Sequence, residues 1–227
     1  MADLQSRLNR AAIDLSAILS KNGTKHGIFG GWAVNALGSG RETKDVDCLA
    51  AIGKDDLIEL MADKPGWTQI PNMREDYAPY FWDDELNKPV LVEVFPASLT
   101  SPANTENSIQ AMKNIRTEKM DVDGTSVQIL GTIQIFKGKL RAAAGRQNET
   151  DAQDLLHLCR FFRGTIQNST NKFDLEDVGK TIQRHPELAE VFGDLYINVE
   201  HAAKLGPFDV GVTLGPAAFE VQKGIIG

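Results

Sequence analysis

The chain has 227 residues, 42% hydrophobic and 24% charged, an ordinary globular composition with material for one sizeable domain or two small ones. A net charge of -7 speaks against a protein that coats nucleic acid through general basicity, while leaving room for a local basic cleft. The two cysteines, Cys48 and Cys159, lie in apolar, regularly patterned segments, which speaks against a disulfide framework and predicts a reducing, cytoplasmic setting.

Leu4, Leu8, Ala11, Leu15, Ile18 and Leu19 recur at helical spacing and predict a first helix over 2–21. This segment is amphipathic, with no basic head before a continuous apolar run, so it does not read as a signal peptide. No stretch approaches the roughly 18 apolar residues of a membrane span. A very short strand, Ile28-Phe29, precedes a tight turn at Gly30-Gly31 and a short helix that ends at Gly38 or Gly40, where glycine can take a left-handed cap. Strand "DVDCLAAI" and helix "KDDLIELMADK" follow, the helix closed by Pro65-Gly66, and then strand "WTQI". Two strands are expected around the polar turn from Asp83 to Lys88, and residues 100–114 are polar and ambiguous. Asp123-Gly124 signals a hairpin. After Gly131 the pattern turns helical: "TIQIFKGKLRAAAGRQN", then a helix with Thr150 and Gln153 as a capping box, then "DLEDVGKTIQRHP" and "PELAEVFGDLYINVEHAAKL" as one helix each. The domain reading is an α/β part over 1–131, a helical part over 132–205, and a Gly- and Pro-punctuated tail over 206–227 that is extended or disordered.

Asp45 and Asp47 are two apart on a strand, so they project from one face while Val46 and Cys48 point to the other. Paired carboxylates repel, and an opposed cation relieves the cost. Oxygen ligands suit a hard ion such as Mg²⁺. Glu93, a lone acid in the apolar strand "VLVEVFP", makes sense beside that pair. Three carboxylates can hold two Mg²⁺ about 3.5–4 Å apart and clamp both oxygens of an in-line phosphoryl displacement. Taken singly, each feature has a plainer reading. Strand ends often carry water-facing aspartates, Glu93 could lie on the solvent face of an edge strand, and Gly-Gly is a common turn. Upstream, however, Gly30-Gly31 opens a helix after a strand, with Ser39 eight residues later, and backbone amides at such a place bind phosphate.

Together, Gly30-Gly31, a thirteen-residue spacer, Asp45-Val46-Asp47 and Glu93 resemble the signature of the nucleotidyltransferase superfamily typified by DNA polymerase beta. "GGWAVNALGSGRETKDVD" is similar to its small stand-alone members, the lincosamide nucleotidyltransferases and the nucleotidyltransferase toxins of abortive-infection systems. "KGKLRAAAGRQNETDAQDLLHL" is similar to the family's Lys, Ala-rich turn, Arg and Asp-x-x-Asp-Leu, pointing to Lys139, Arg146, Asp151 and Asp154. The match covers about residues 27–160. This chain has Thr43-Lys44 where related drug-modifying enzymes often carry a basic residue and a histidine, and Glu93 where many have Asp; Asp83 and Asp84 are the alternative third acids.

The resemblance implies a small mixed-sheet domain followed by a helical bundle, and transfer of a nucleoside monophosphate from an NTP, ATP foremost, to a hydroxyl with release of pyrophosphate. Asp45, Asp47 and Glu93 would hold two Mg²⁺, with Glu93 also the general base. Gly30, Gly31, Ser39, Arg41, Lys139 and Arg146 would contact the nucleotide. The plainer readings pair Arg41 with Glu42 or Asp45 and leave Lys139 and Arg146 on a solvated basic face, as Arg141 is expected to be, with Asp151 and Asp154 as pairing partners or helix-start charges. The acceptor expected is a small molecule. RNA or protein acceptors, and an inactive interaction module of the same fold, are the alternatives. Trp32 and the Tyr77, Tyr80, Phe81, Trp82 group read as core, with part of the group available to line an acceptor pocket. His157 reads as packed or half-buried, and His26, His185 and His201 show no metal-ligand spacing.

Overall fold

The computed structural model describes residues 2–73, 77–83, 88–96 and 113–205. Asp84, most of the turn between the two central strands, nearly all of the 100–114 stretch and the 206–227 tail lie outside the described residues. The chain divides into two compact units, the first ending at Gly131 and the second beginning at Thr132.

In the first unit, helix α1 (Ala2–Lys21) is followed by β1 (His26–Phe29), α2 (Gly30–Val34) with a π-helical turn (Asn35–Ser39), β2 (Asp45–Ala50), α3 (Lys54–Met61), β3 (Trp67–Gln69), β4 (Ala78–Trp82), β5 (Val90–Pro96), β6 (Thr117–Val122) and β7 (Thr125–Leu130). Among the described residues these strands form one mixed sheet in the order β3-β4-β5-β2-β1-β7-β6. β2 runs parallel to β5 and antiparallel to β1, and β1 runs parallel to β7. The hairpin turns at Asp123 (φ 51°) and Gly124 (φ 79°), the two left-handed residues of a type I′ turn.

Helix α1 forms because its apolar residues fall on one stripe. Leu8, Ala11, Ala12, Leu15 and Leu19 are fully buried, whereas Leu4 is exposed. The stripe packs on β7, β1, β2 and β5. Asp14 on α1 accepts from the indoles of Trp67 (2.7 Å) and Trp82 (3.1 Å). By register, Trp82, Val92, Val46, Cys48 and Ile28 share a sheet face, so α1 covers the face opposite Asp45 and Asp47.

The second unit contains α4 (Thr132–Gly145), α5 (Glu149–Phe161), α6 (Arg163–Gln167), α7 (Leu175–Arg184), α8 (Leu188–Asp194) and α9 (Val199–Leu205). Phe136 anchors its core against Phe173 (ring centroids 4.8 Å apart) and Phe192 (6.3 Å). Three local details differ from the sequence reading. The cap of α5 is Asn148, which accepts from the Thr150 amide, so Thr150 lies inside the helix. The expected single helix after Pro186 is two, because Tyr196 takes φ 62° between α8 and α9. The short α6 has no amphipathic signal long enough to read.

Candidate active site

Register assembles the acids. Asp45 pairs with Leu91 and Asp47 with Glu93 across the parallel β2–β5 ladder. Residues paired this way point to the same side, and neighbouring strands lie about 4.8 Å apart. The side chains of Asp45, Asp47 and Glu93 are half-buried, alternating with buried Val46, Cys48, Val92 and Val94. Glu93 therefore stands beside Asp47 on a central strand, not on an edge. Asp83 directly follows β4.

Phe29 pairs with Asp47 on the other flank, and the chain turns there into α2. The expected tight turn is compressed into the first helical residue: Gly30 takes φ 71° and opens α2 itself. A Cβ on Gly30 would collide with the Asp47 carboxylate, so the backbone and the acid are in contact. No side chain caps the first turn of α2. Gly38 (φ 95°) and Gly40 (φ 68°) both take the left-handed conformation expected of one of them.

The loop from α2 to β2 is tied back onto α2. Asn35 Nδ2 donates to the Arg41 carbonyl, and the Arg41 amide donates to Ser39 Oγ at 3.4 Å. Arg41 Nη1 donates to the Glu42 carbonyl at 2.8 Å. Its Nη2 lies where a Cβ on Gly31 would come within 2.5 Å. Thr43 is buried and its hydroxyl donates to Asp45 Oδ1 at 3.2 Å. Asn35 and Thr43 were not singled out as site residues by sequence reasoning; a threonine two before the first aspartate is the signal that was there to find.

In the helical unit Lys139 and Arg146 sit on α4 and just beyond it. Lys139 is a buried cation, its side chain 9% exposed, with Nζ 2.7 Å from Asp154 and 3.6 Å from Asp151. Arg146 forks onto Asp151 through Nε (2.7 Å) and Nη2 (3.2 Å) while its side chain stays 40% exposed. Arg141, read as solvated, instead holds Asp177 at 2.6 Å, and burial outweighs that arginine in raising the Asp177 pKa.

The remaining candidates resolve simply. Trp32 is fully buried and donates to Asn9 Oδ1 at 3.2 Å. Tyr80 and Trp82 are core, but Phe81 points to the acid face, 42% exposed, in line with Leu91 and Asp45. Tyr77 stacks on Phe95 at 5.9 Å, and Phe95 also meets Phe29 at 5.4 Å. His157 is half-buried against Phe161. Burial pushes the Cys48 thiol up, with the Asp47 charge a lesser cause, and raises Cys159 to about 12, so both thiols are packing groups.

This mixed sheet, with its acid-bearing parallel strands and a glycine pair at the β1–α2 junction, has the nucleotidyltransferase fold. An antigenic nucleotidyltransferase-like protein from Paracoccidioides brasiliensis superposes with a TM-score of 0.60 at 16% identity, over 86% of this chain and 94% of its own. The antibiotic-resistance factor ANT(2'')-Ia superposes at 0.48 with 14% identity, over 85% of this chain and 96% of its own. The lincosamide antibiotic adenylyltransferase LnuA superposes at 0.44 with 15% identity, over 64% of this chain and 92% of its own. The fold rests on the first of these. No protein-family model and no curated protein matches the chain.

Proposed function

We propose that the chain is a Mg²⁺-dependent nucleotidyltransferase that moves a nucleoside monophosphate from an NTP to a hydroxyl of a small-molecule acceptor. The observation that carries this reading is the register that sets Glu93 beside Asp47, with Asp45 on the same face. Three carboxylates with all-oxygen donors fit a hard divalent cation, and the Gly30 backbone lies directly against the Asp47 carboxylate. Two Mg²⁺, when bound, would stabilise the attacking and leaving oxygens of an in-line displacement. Asp45 and Asp47 would hold both ions and Glu93 one of them. Glu93 would also take the acceptor hydroxyl's proton as the new O–P bond forms and the bond to the departing pyrophosphate breaks. Gly30, Gly31, Ser39 and Arg41 would face the phosphates. For Lys139 and Arg146 a phosphate contact remains part of the proposal, and it has to compete with their pairing to Asp151 and Asp154.

Phe81 and Leu91, beside Asp45 on the acid face, suit an acceptor with an apolar surface. A net charge of -7 disfavours RNA as acceptor. One observation favours a catalytically inactive module instead. Among the described residues, no three His, Cys, Asp or Glu side chains already converge as an ion-binding group. The acids share a face and a register rather than a closed ligand shell.

Thermal melting with each NTP, with and without Mg²⁺, separates the two readings. A ligand at 100 times its dissociation constant adds about 2.7 kcal/mol. A shift that requires both Mg²⁺ and an NTP, and that disappears in Asp45→Asn and Asp47→Asn proteins whose ligand-free melting is unchanged, is the expected result. Retention of the shift in either variant defeats the site assignment, and no shift in the wild type favours the inactive module.

A further inference from the structure

We infer that Thr43 is the positioning residue of this site: its hydroxyl fixes the Asp45 carboxylate for cation binding, and Gly31 is glycine in part to admit it. The inference rests on the proposed cation-binding role of Asp45. Asp47 is hemmed in by the Gly30 backbone on one side and by Glu93 on the next strand. Asp45 is placed differently. It is the first residue of β2 and pairs with Leu91, whose side chain offers a carboxylate no hydrogen bond.

Thr43 supplies one. A carboxylate only accepts, so the 3.2 Å contact with Asp45 Oδ1 uses the single hydroxyl proton of Thr43. The donor is well fixed. Thr43 is 6% exposed, and β-branching leaves χ1 few choices. Its Oγ1 lies close enough to α2 that a Cβ on Gly31 would come within 2.7 Å of it, and within 2.5 Å of Arg41 Nη2. Asn35 ties the same loop to α2 through the Arg41 carbonyl. The second glycine of the pair thus has a steric reason to lack a side chain that is independent of any phosphate.

Mn²⁺ titrated into the full chain, followed by the electron paramagnetic resonance signal of the free ion, tests this. Thr43→Ser keeps the hydroxyl and is expected to bind Mn²⁺ within about twofold of wild type. Thr43→Val keeps the shape and loses the donor, and is expected to bind about 10-fold more weakly, the lower end for outer-shell partners of metal ligands. Metal-free melting temperatures establish that both variants fold, and Thr43→Ala replaces valine if that variant does not. Wild-type affinity in the hydroxyl-free variant overturns the positioning role and leaves the cation site standing. Loss in the serine variant as deep as in valine also overturns it, because the hydroxyl then does not matter. Absence of Mn²⁺ binding by the wild type removes the cation-site reading and this inference together.

Discussion

Gly30 shows at the scale of one residue how backbone and chemistry are joined. Its φ of 71° is costly for an L side chain, and its Cα faces Asp47 where a methyl group would collide. Gly30→Ala therefore meets two penalties, of which the left-handed backbone alone costs about 1–2 kcal/mol. The expected outcome is a lower urea midpoint together with loss of Mg²⁺-dependent NTP binding, since relief of the clash must move the Asp47 carboxylate. A protein that melts and binds like wild type would show that neither the turn nor the contact is needed. That Asp45 and Asp47 share a face was legible from period-two alternation, and so was their separation from the core. The Thr43 brace was not, because a hydroxyl two residues from an aspartate can face many ways until its burial and the bareness of Gly31 are known.

At the scale of elements, most strands and helices follow their local pattern. The exceptions have local causes. Asn148 displaces Thr150 as cap because its side chain, outside the helix at φ -132°, accepts from the first-turn amide. Helix α8 ends with the Tyr196 amide bonded to the Gly193 carbonyl and the Ile197 amide to Phe192, the Schellman pattern whose left-handed position glycine usually fills. Tyrosine there is 80% exposed, so it gives up backbone comfort without a buried contact in return. Tyr196→Gly is expected to stabilise the protein by about 0.5–1 kcal/mol, read as a higher denaturant midpoint at unchanged slope. The ion pairs between α4 and α5 belong to this scale too. Helical period puts Lys139 and Arg146 on one face, but it does not say that Asp154 and Asp151 rise opposite them and bury the lysine.

At the scale of the whole molecule, stability should depend on pH through His26. Its Nδ1–H donates to the Thr24 carbonyl at 2.9 Å, so Nε2 must accept, from Ser16 Oγ at 3.0 Å. Ser16 in turn accepts from the Gln128 amide of β7 at 3.1 Å, so one neutral imidazole links α1, β1 and the neighbouring strand β7. Burial lowers the His26 pKa from 6.5. Below pH 6.5 the unfolded chain binds a proton that the folded chain refuses, so the contribution is present above that value and is lost as pH falls toward the folded pKa. Urea titrations should show wild type losing stability below pH 6.5 more steeply than His26→Gln, whose side chain keeps a donor and an acceptor without titrating. Parallel slopes for the two proteins would rule out His26 as the cause.

Legible in the order of residues were the change from a sheet-rich to a helical part near Gly131, the Asp45–Asp47 pair, the glycines ahead of it, and Lys139 with Arg146 seven residues further on. These are properties of spacing along the chain, where the periods of strand and helix dictate which neighbours share a face. The tertiary structure alone decided that Glu93 stands next to Asp47, that Phe81 turns toward the acids while Tyr80 and Trp82 turn away, and that Lys139 is neutralised by Asp154. Each of these depends on strand register or helix packing between segments far apart in sequence. There the burial of Val46, Cys48, Val92 and Val94 on one face selects the pairing that brings the acids together on the other.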